Sequence, residues 1–81
     1  MVDVNLWSGL RHFTGGELVV KVEARTIGEM LDALVRAHPA LAPAIEAGVS
    51  VAVDGEIIAD NRSVPVKPGS EIYLLQRIKG G

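Results

Sequence analysis

The stretch TIGEMLDALVRAHP, residues 26–39, decides how the rest of the chain is read. Thr26 and Glu29 stand three residues apart ahead of an apolar run, which is the spacing of a capping box. In that motif the Thr hydroxyl accepts from the amide three residues on while the Glu carboxylate reaches back. Ile27, Met30, Leu31, Leu34 and Val35 come at intervals of 3, 1, 3 and 1, one stripe of a helix facing a core. Asp32 and Arg36, one turn apart on the opposite face, are expected to pair weakly. His38-Pro39 ends the helix, because proline disfavours the α conformation in the residue before it.

Outward from this helix, both flanks read as strands. On the N-terminal side Val2, Val4 and Leu6 alternate with Asp3 and Asn5, the period of a half-buried strand. Residues 7–16 form a wide loop punctuated by Gly9, Thr14, Gly15 and Gly16, whose ends Trp7 and Phe13 are expected to close the core. Leu18, Val20 and Val22 then return antiparallel. On the C-terminal side residues 41–47 read as a short second helix, with Pro43 in its first turn and Gly48 as terminator, spanning one sheet edge. Val49, Val51 and Val53 mark a third strand, Asp54-Gly55 a hairpin turn, and residues 56–59 a fourth strand. The last strand covers residues 71–78, with Ile72 and Leu74 on one face and Tyr73, Leu75 and Arg77 on the other.

Strand, strand, helix, strand, strand, strand predicts an α+β, β-grasp domain. We expect a mixed four- to five-stranded sheet with one main helix on one face, a short second helix, and the first and last strands as a parallel central pair. Residues 1–78 make the domain and residues 79–81 a flexible tail ending in Gly80-Gly81. A chain of 81 residues is one domain, and it buries only about 60 to 65% of its unfolded surface. Trp7, Phe13 and Tyr73 are its only aromatics, so aliphatic side chains must fill the interior.

There is no cysteine, which excludes disulfides, thiolate metal sites and a cysteine nucleophile. No leader pattern and no apolar run of membrane-spanning length occurs, so a cytoplasmic protein without membrane partners is expected. Net charge is −2, with neither a basic face nor spare aromatics for base stacking, which argues against nucleic acid. The charge is uneven: residues 1–61 hold four bases against nine acids, and residues 62–81 hold four bases against Glu71 alone. His12 has no ligand spacing around it, His38 sits at a helix end, Asp54 belongs to a turn and Asp60 to a loop. No side chain is therefore assigned catalysis, and no bound cofactor or metal is expected.

Glycine without a Cβ makes Gly80-Gly81 the thinnest peptide available, able to thread a narrow channel and deliver a terminal carboxylate to another protein's active site. With Leu10-Arg11, Thr14-Gly15, the helix start at residues 26–31, the hairpin at 51–56, the segment at 66–72 and this terminal pair in that order, the chain resembles the MoaD/ThiS-type ubiquitin-like sulfur carriers. The resemblance implies a carrier that is a substrate of enzymes. The Gly81 carboxylate would attack the α-phosphate of ATP on an activating enzyme, and the acyl-adenylate would then be displaced by a sulfur donor to give a thiocarboxylate. A downstream synthase subunit or acceptor enzyme would spend that sulfur in molybdopterin or thiamine biosynthesis. The molybdopterin branch usually carries a Phe-Pro-Pro-like segment before its end where this chain has Leu75-Gln76-Arg77-Ile78-Lys79, so other carrier branches stay open.

Tyr73 and Leu75 are expected to dock the activating enzyme, with Arg77, Ile78, Lys79 and Gly80 guiding the tail. Two further readings stand beside the carrier: a ubiquitin-like modifier conjugated through Gly81, and a β-grasp subunit that binds an enzyme without tail chemistry.

Overall fold

In the computed structural model, residues 1–58 and 61–76 are described. Five strands, β1 (Val2–Asn5), β2 (Val19–Val22), β3 (Val49–Val53), β4 (Glu56–Ile58) and β5 (Ile72–Gln76), form one sheet in the order β2-β1-β5-β3-β4. β1 and β5 are parallel, with Val4 opposite Ile72 and Asn5 opposite Tyr73, and every other pair is antiparallel. This is the β-grasp arrangement, with the expected central parallel pair.

Alternation within each strand separates two faces. Val2, Val4, Val20, Val22, Val49, Val51, Ile72 and Leu74 are buried on one side. Helix α1 (Ile27–Ala37) lays Ile27, Met30, Leu31 and Leu34 into the same core. Val35 completes the predicted stripe half-buried. A short 3₁₀ turn, Pro39–Leu41, leads into helix α2 (Ala42–Ala47), and Leu41 between them is fully buried.

The start of α1 is satisfied group by group. Thr26 Oγ1 accepts from the Glu29 amide at 3.2 Å, and the Glu29 carboxylate accepts from the Arg25 amide at 3.0 Å. The Ile27 and Gly28 amides donate to the carbonyls of Val64 and Arg62, each at 2.9 Å. Amides left without a partner by the helix itself are thus taken up by the cap and by the loop before β5. That loop also decides the fate of Asp32. Its carboxylate pairs at 2.8 Å with Arg62, which also donates to the Gly28 carbonyl at 3.1 Å, and the expected partner Arg36 is not used.

Asp54 (φ +51°) and Gly55 (φ +86°) occupy the left-handed region required at both centres of a two-residue hairpin loop between β3 and β4. Asp54 is held there by its amide donating to the Glu71 carbonyl at 2.8 Å and its Oδ1 accepting from the Glu71 amide at 2.9 Å.

Four expectations are corrected. Residues 8–13 of the supposed open loop form a 3₁₀ helix, Ser8–Phe13, that buries Leu10. Phe13 is 44% exposed and does not close the core, whereas Trp7 packs half-buried against it. Leu18 stands outside β2 and is exposed, although its carbonyl accepts from the Leu6 amide at 2.8 Å. Finally, Asp32 pairs across the fold and not along its own helix. The proposed ends of the fourth strand at Ala59 and of the last strand at Ile78, and the tail 79–81, lie outside the described residues.

Candidate functional site

The sheet face opposite α1 has nothing packed on it among the described residues. Register brings one residue from each strand into a single row across it: Val19 of β2, Asn5 of β1, Tyr73 of β5, Ala52 of β3 and Ile57 of β4. With strands about 4.8 Å apart, the row is about 19 Å long. Tyr73 is 47% exposed at its centre, Val19 and Ile57 are 46% and 65% exposed near its ends, and Ala52 is half-buried. Asn5 is the one polar member, and its Nδ2 donates to the Ile72 carbonyl at 2.9 Å along the parallel seam. Isolated surface aliphatics are ordinary; here Tyr73, Ala52 and Ile57 are neighbours on one face, with Val19 beyond Asn5.

One step further along β5, Leu75 lies half-buried opposite Ser50 of β3, next to the strand's last residue, Gln76. One step in the other direction the face changes character, because Asp3, Glu71 and Asp54 are all exposed there, with Lys21 opposite Asp3. The open face is thus an apolar row with an acidic border on the side remote from the C-terminal end of β5.

Of the residues expected to form a site, Tyr73 and Leu75 share this face as anticipated. Arg77, Ile78, Lys79, Gly80 and Gly81 lie outside the described residues. Sequence reading missed Val19 and Ile57. The alternation of Val19, Lys21 and Glu23 with Leu18, Val20 and Val22 puts Val19 on the outer face without marking it as part of a site, and Ile57 beside Ile58 gives no hint which one faces out. The pairings Asn5 to Val19 and Ala52 to Ile57 place both in the row with Tyr73. His38, at the C-terminal end of α1, has its Nε2 3.7 Å from Glu17 Oε2. No group of His, Cys, Asp or Glu among the described residues is placed to hold a metal ion. No helix among them is long and apolar enough to cross a membrane.

A five-stranded mixed sheet grasping one helix, with an open face beside its central strand, defines a ubiquitin-like β-grasp protein. The ThiS family profile matches residues 4–81, and the chain belongs to that family. In three dimensions it is similar to a chain of the Amycolatopsis orientalis BexX/CysO complex, with 26% identity, 100% of both chains covered and a TM-score of 0.78. It is also similar to small archaeal modifier protein 1 of Haloferax volcanii, with 27% identity, 95% of this chain and 97% of that one covered, and a TM-score of 0.69. A third likeness is to a chain of the complex of subunits 1 and 2 of the molybdopterin-converting factor from Helicobacter pylori, with 25% identity, 99% and 97% coverage and a TM-score of 0.68. The chain matches no curated protein at a significant level. It is thus a member of the ubiquitin-fold group of small sulfur carriers and modifiers.

Proposed function

We propose that this protein is a sulfur carrier whose reacting group is the carboxylate of Gly81. An adenylating enzyme docks the open sheet face through Tyr73 and Leu75 and receives residues 77–81 in its active site. A carboxylate oxygen attacks the α-phosphorus of ATP and expels pyrophosphate. A sulfide-type donor then attacks the acyl carbon of the adenylate and expels AMP, leaving a thiocarboxylate for a downstream synthase subunit or acceptor enzyme. The chain acts here as a substrate and carrier and not as an enzyme; ATP is bound by its partner.

The observation that carries this reading is the family match running through Gly81, together with the position of β5. β5 is paired with β1 at Ile72 and Tyr73 and with β3 along its whole length, so Gln76, opposite Val49, is held in the sheet three residues past Tyr73 and five residues before the reacting end. Arg77 and Lys79 add positive charge near that end and complement an anionic nucleotide or an acidic entrance on the partner. Both molybdenum-cofactor and thiamine-type pathways fit the family match.

The test is the intact mass of the protein after incubation with ATP, a sulfur donor and the adenylating enzyme of its host. Exchange of one oxygen for sulfur adds about 16 Da, which is absent when Gly81 is deleted. The likeness to a protein named as a modifier favours a second reading, conjugation of Gly81 to lysine amines. That reading gives a ladder of larger adducts in place of the small gain. In either case changing Tyr73 and Leu75 together to Ser is expected to abolish activation while the domain still unfolds cooperatively. Undiminished activation of that variant would remove the open face from the reading.

A further inference from the structure

The open face carries information beyond its apolar row. Asp3 in β1 and Glu71 just ahead of β5 each stand one residue before the paired Val4 and Ile72 and two before Asn5 and Tyr73. Both are exposed, and among the described residues neither carboxylate has a cation within ion-pairing distance. Asp54 joins them, bonded through Oδ1 to the Glu71 amide. Lys21 stands opposite Asp3 on β2 without closing to an ion pair, and among the described residues it is the one base in the border. Like charges on neighbouring strand positions do not help a sheet form. Asp54 is accounted for by its turn and Asp3 has Lys21 across from it, but the Asp3 and Glu71 carboxylates together add nothing to the pairing of β1 with β5.

An apolar row running Val19, Asn5, Tyr73, Ala52, Ile57 is a poor guide to orientation, since a flat apolar partner surface fits it in more than one rotation. Only one rotation brings residues 77–81 into an active site. A charged border on the side away from the C-terminal end of β5 breaks the ambiguity, because a wrongly rotated complex would set the carboxylates against apolar or acidic surface at a desolvation cost.

We infer that the acidic border formed by Asp3, Glu71 and Asp54 orients docking. The adenylating enzyme then presents an apolar patch flanked by lysine or arginine side chains about 7 Å to the side remote from its active site. This rests on the reading proposed above and adds the chemistry of the partner's rim. The border charges stay near solvent in the complex, so they act chiefly on the rate of productive association and are screened by salt.

The test uses the full chain and the host's adenylating enzyme, with ATP–pyrophosphate exchange as the readout at ionic strengths of about 0.05 M and about 0.5 M. Neutralising the pair, Asp3→Asn with Glu71→Gln, is expected to lower kcat/KM about threefold at low salt. Asp3→Asn with Glu71→Lys should lower it about tenfold, with kcat unchanged in both variants. At high salt both converge on the wild type, whereas the loss caused by Tyr73→Ser persists there. Wild-type kcat/KM in the charge variants at low salt, or a loss that persists at high salt, would overturn the inference and leave the carrier reading standing if Tyr73→Ser still fails. No exchange by the wild type with any adenylating enzyme of the host would overturn the carrier reading and this inference with it. Unfolding midpoints of the charge variants at or above the wild type, as relief of like charges predicts, exclude misfolding as the source of a loss.

Discussion

β5 has two sides that share a backbone and little else. Ile72 and Leu74 are 0% and 1% exposed under α1, whereas Tyr73 between them is 47% exposed and Leu75 half-buried. All four are apolar enough to have been core. What separates them is that one side of the sheet has a helix to meet and the other, among the described residues, does not. The buried side is accounted for by packing, since each such side chain gains about 1.5 to 3 kcal/mol by leaving water. The open side gains nothing comparable from folding, and the exposed ring there is what the proposed docking role uses.

The comparison breaks most directly at Leu74. Leu74→Ala removes a fully buried side chain facing α1 and is expected to lower stability by about 3 kcal/mol, read as a shift of the urea midpoint. For a domain of this size, which holds a total near the low end of about 5 to 15 kcal/mol, that is a large share. A loss below about 1 kcal/mol would mean that the two sides differ less in energy than in exposure.

Next in size is the helix's grip on the loop before β5. A Cβ at Gly28 would lie 3.1 Å from Arg62 Cβ and 3.2 Å from the Arg62 carbonyl oxygen, which itself accepts from the Gly28 amide. Gly28→Ala gains up to about 1 kcal/mol of helix propensity but must push the loop away, at about 1 to 3 kcal/mol. The expected net result is a destabilisation of about 1 kcal/mol in chemical unfolding. A stabilised variant would show that the loop yields freely and contributes little to holding the closed side. Thr26→Ala is expected to cost a similar but slightly smaller amount, up to about 1 kcal/mol, by exposing the Glu29 amide at the start of α1. Thr26→Ser should restore most of it.

The closed side was largely legible in the sequence because its signals are local and periodic. The capping box at Thr26 and Glu29, the stripe from Ile27 to Val35, the alternating valines and the Asp54-Gly55 turn each act within a few residues. Their order sufficed to give the parallel central pair. What escaped was set by contacts distant in sequence or by too little period. Asp32 looked toward Arg36 one turn away, but Arg62, thirty positions on, is carried to it by a loop whose path no local rule describes. The 3₁₀ helix Ser8–Phe13 buries only Leu10, so its six residues show no repeat against the glycines around them. On the open side, Tyr73 and Leu75 could be read from the alternation of β5, but the row they belong to depends on the register of four strand pairs. Alternation set Val19 opposite Val20 and Val22, but its place in the row, and the facing of Ile57, came only through that register.

The smallest effect belongs to Tyr73, and it tests the comparison from the other side. Its ring stands between Asn5 and Ala52 in the cross-strand row, and exposed pairs of this kind contribute about 0.2 to 1 kcal/mol. Tyr73→Ser is therefore expected to cost about 0.5 kcal/mol of stability, a change close to the resolution of denaturant unfolding, against about 3 kcal/mol for Leu74→Ala next to it in the chain. The same substitution is expected to lower ATP–pyrophosphate exchange by the adenylating enzyme far more than so small a stability change could. The two measurements together separate the roles of the two faces. A Tyr73→Ser protein that unfolds several kcal/mol more easily would make the ring part of the fold and remove the reason for assigning it to a partner. One that keeps both stability and exchange would leave an exposed aromatic with no work on either side of the sheet, and the docking row would then have to be sought around Val19 or Ile57.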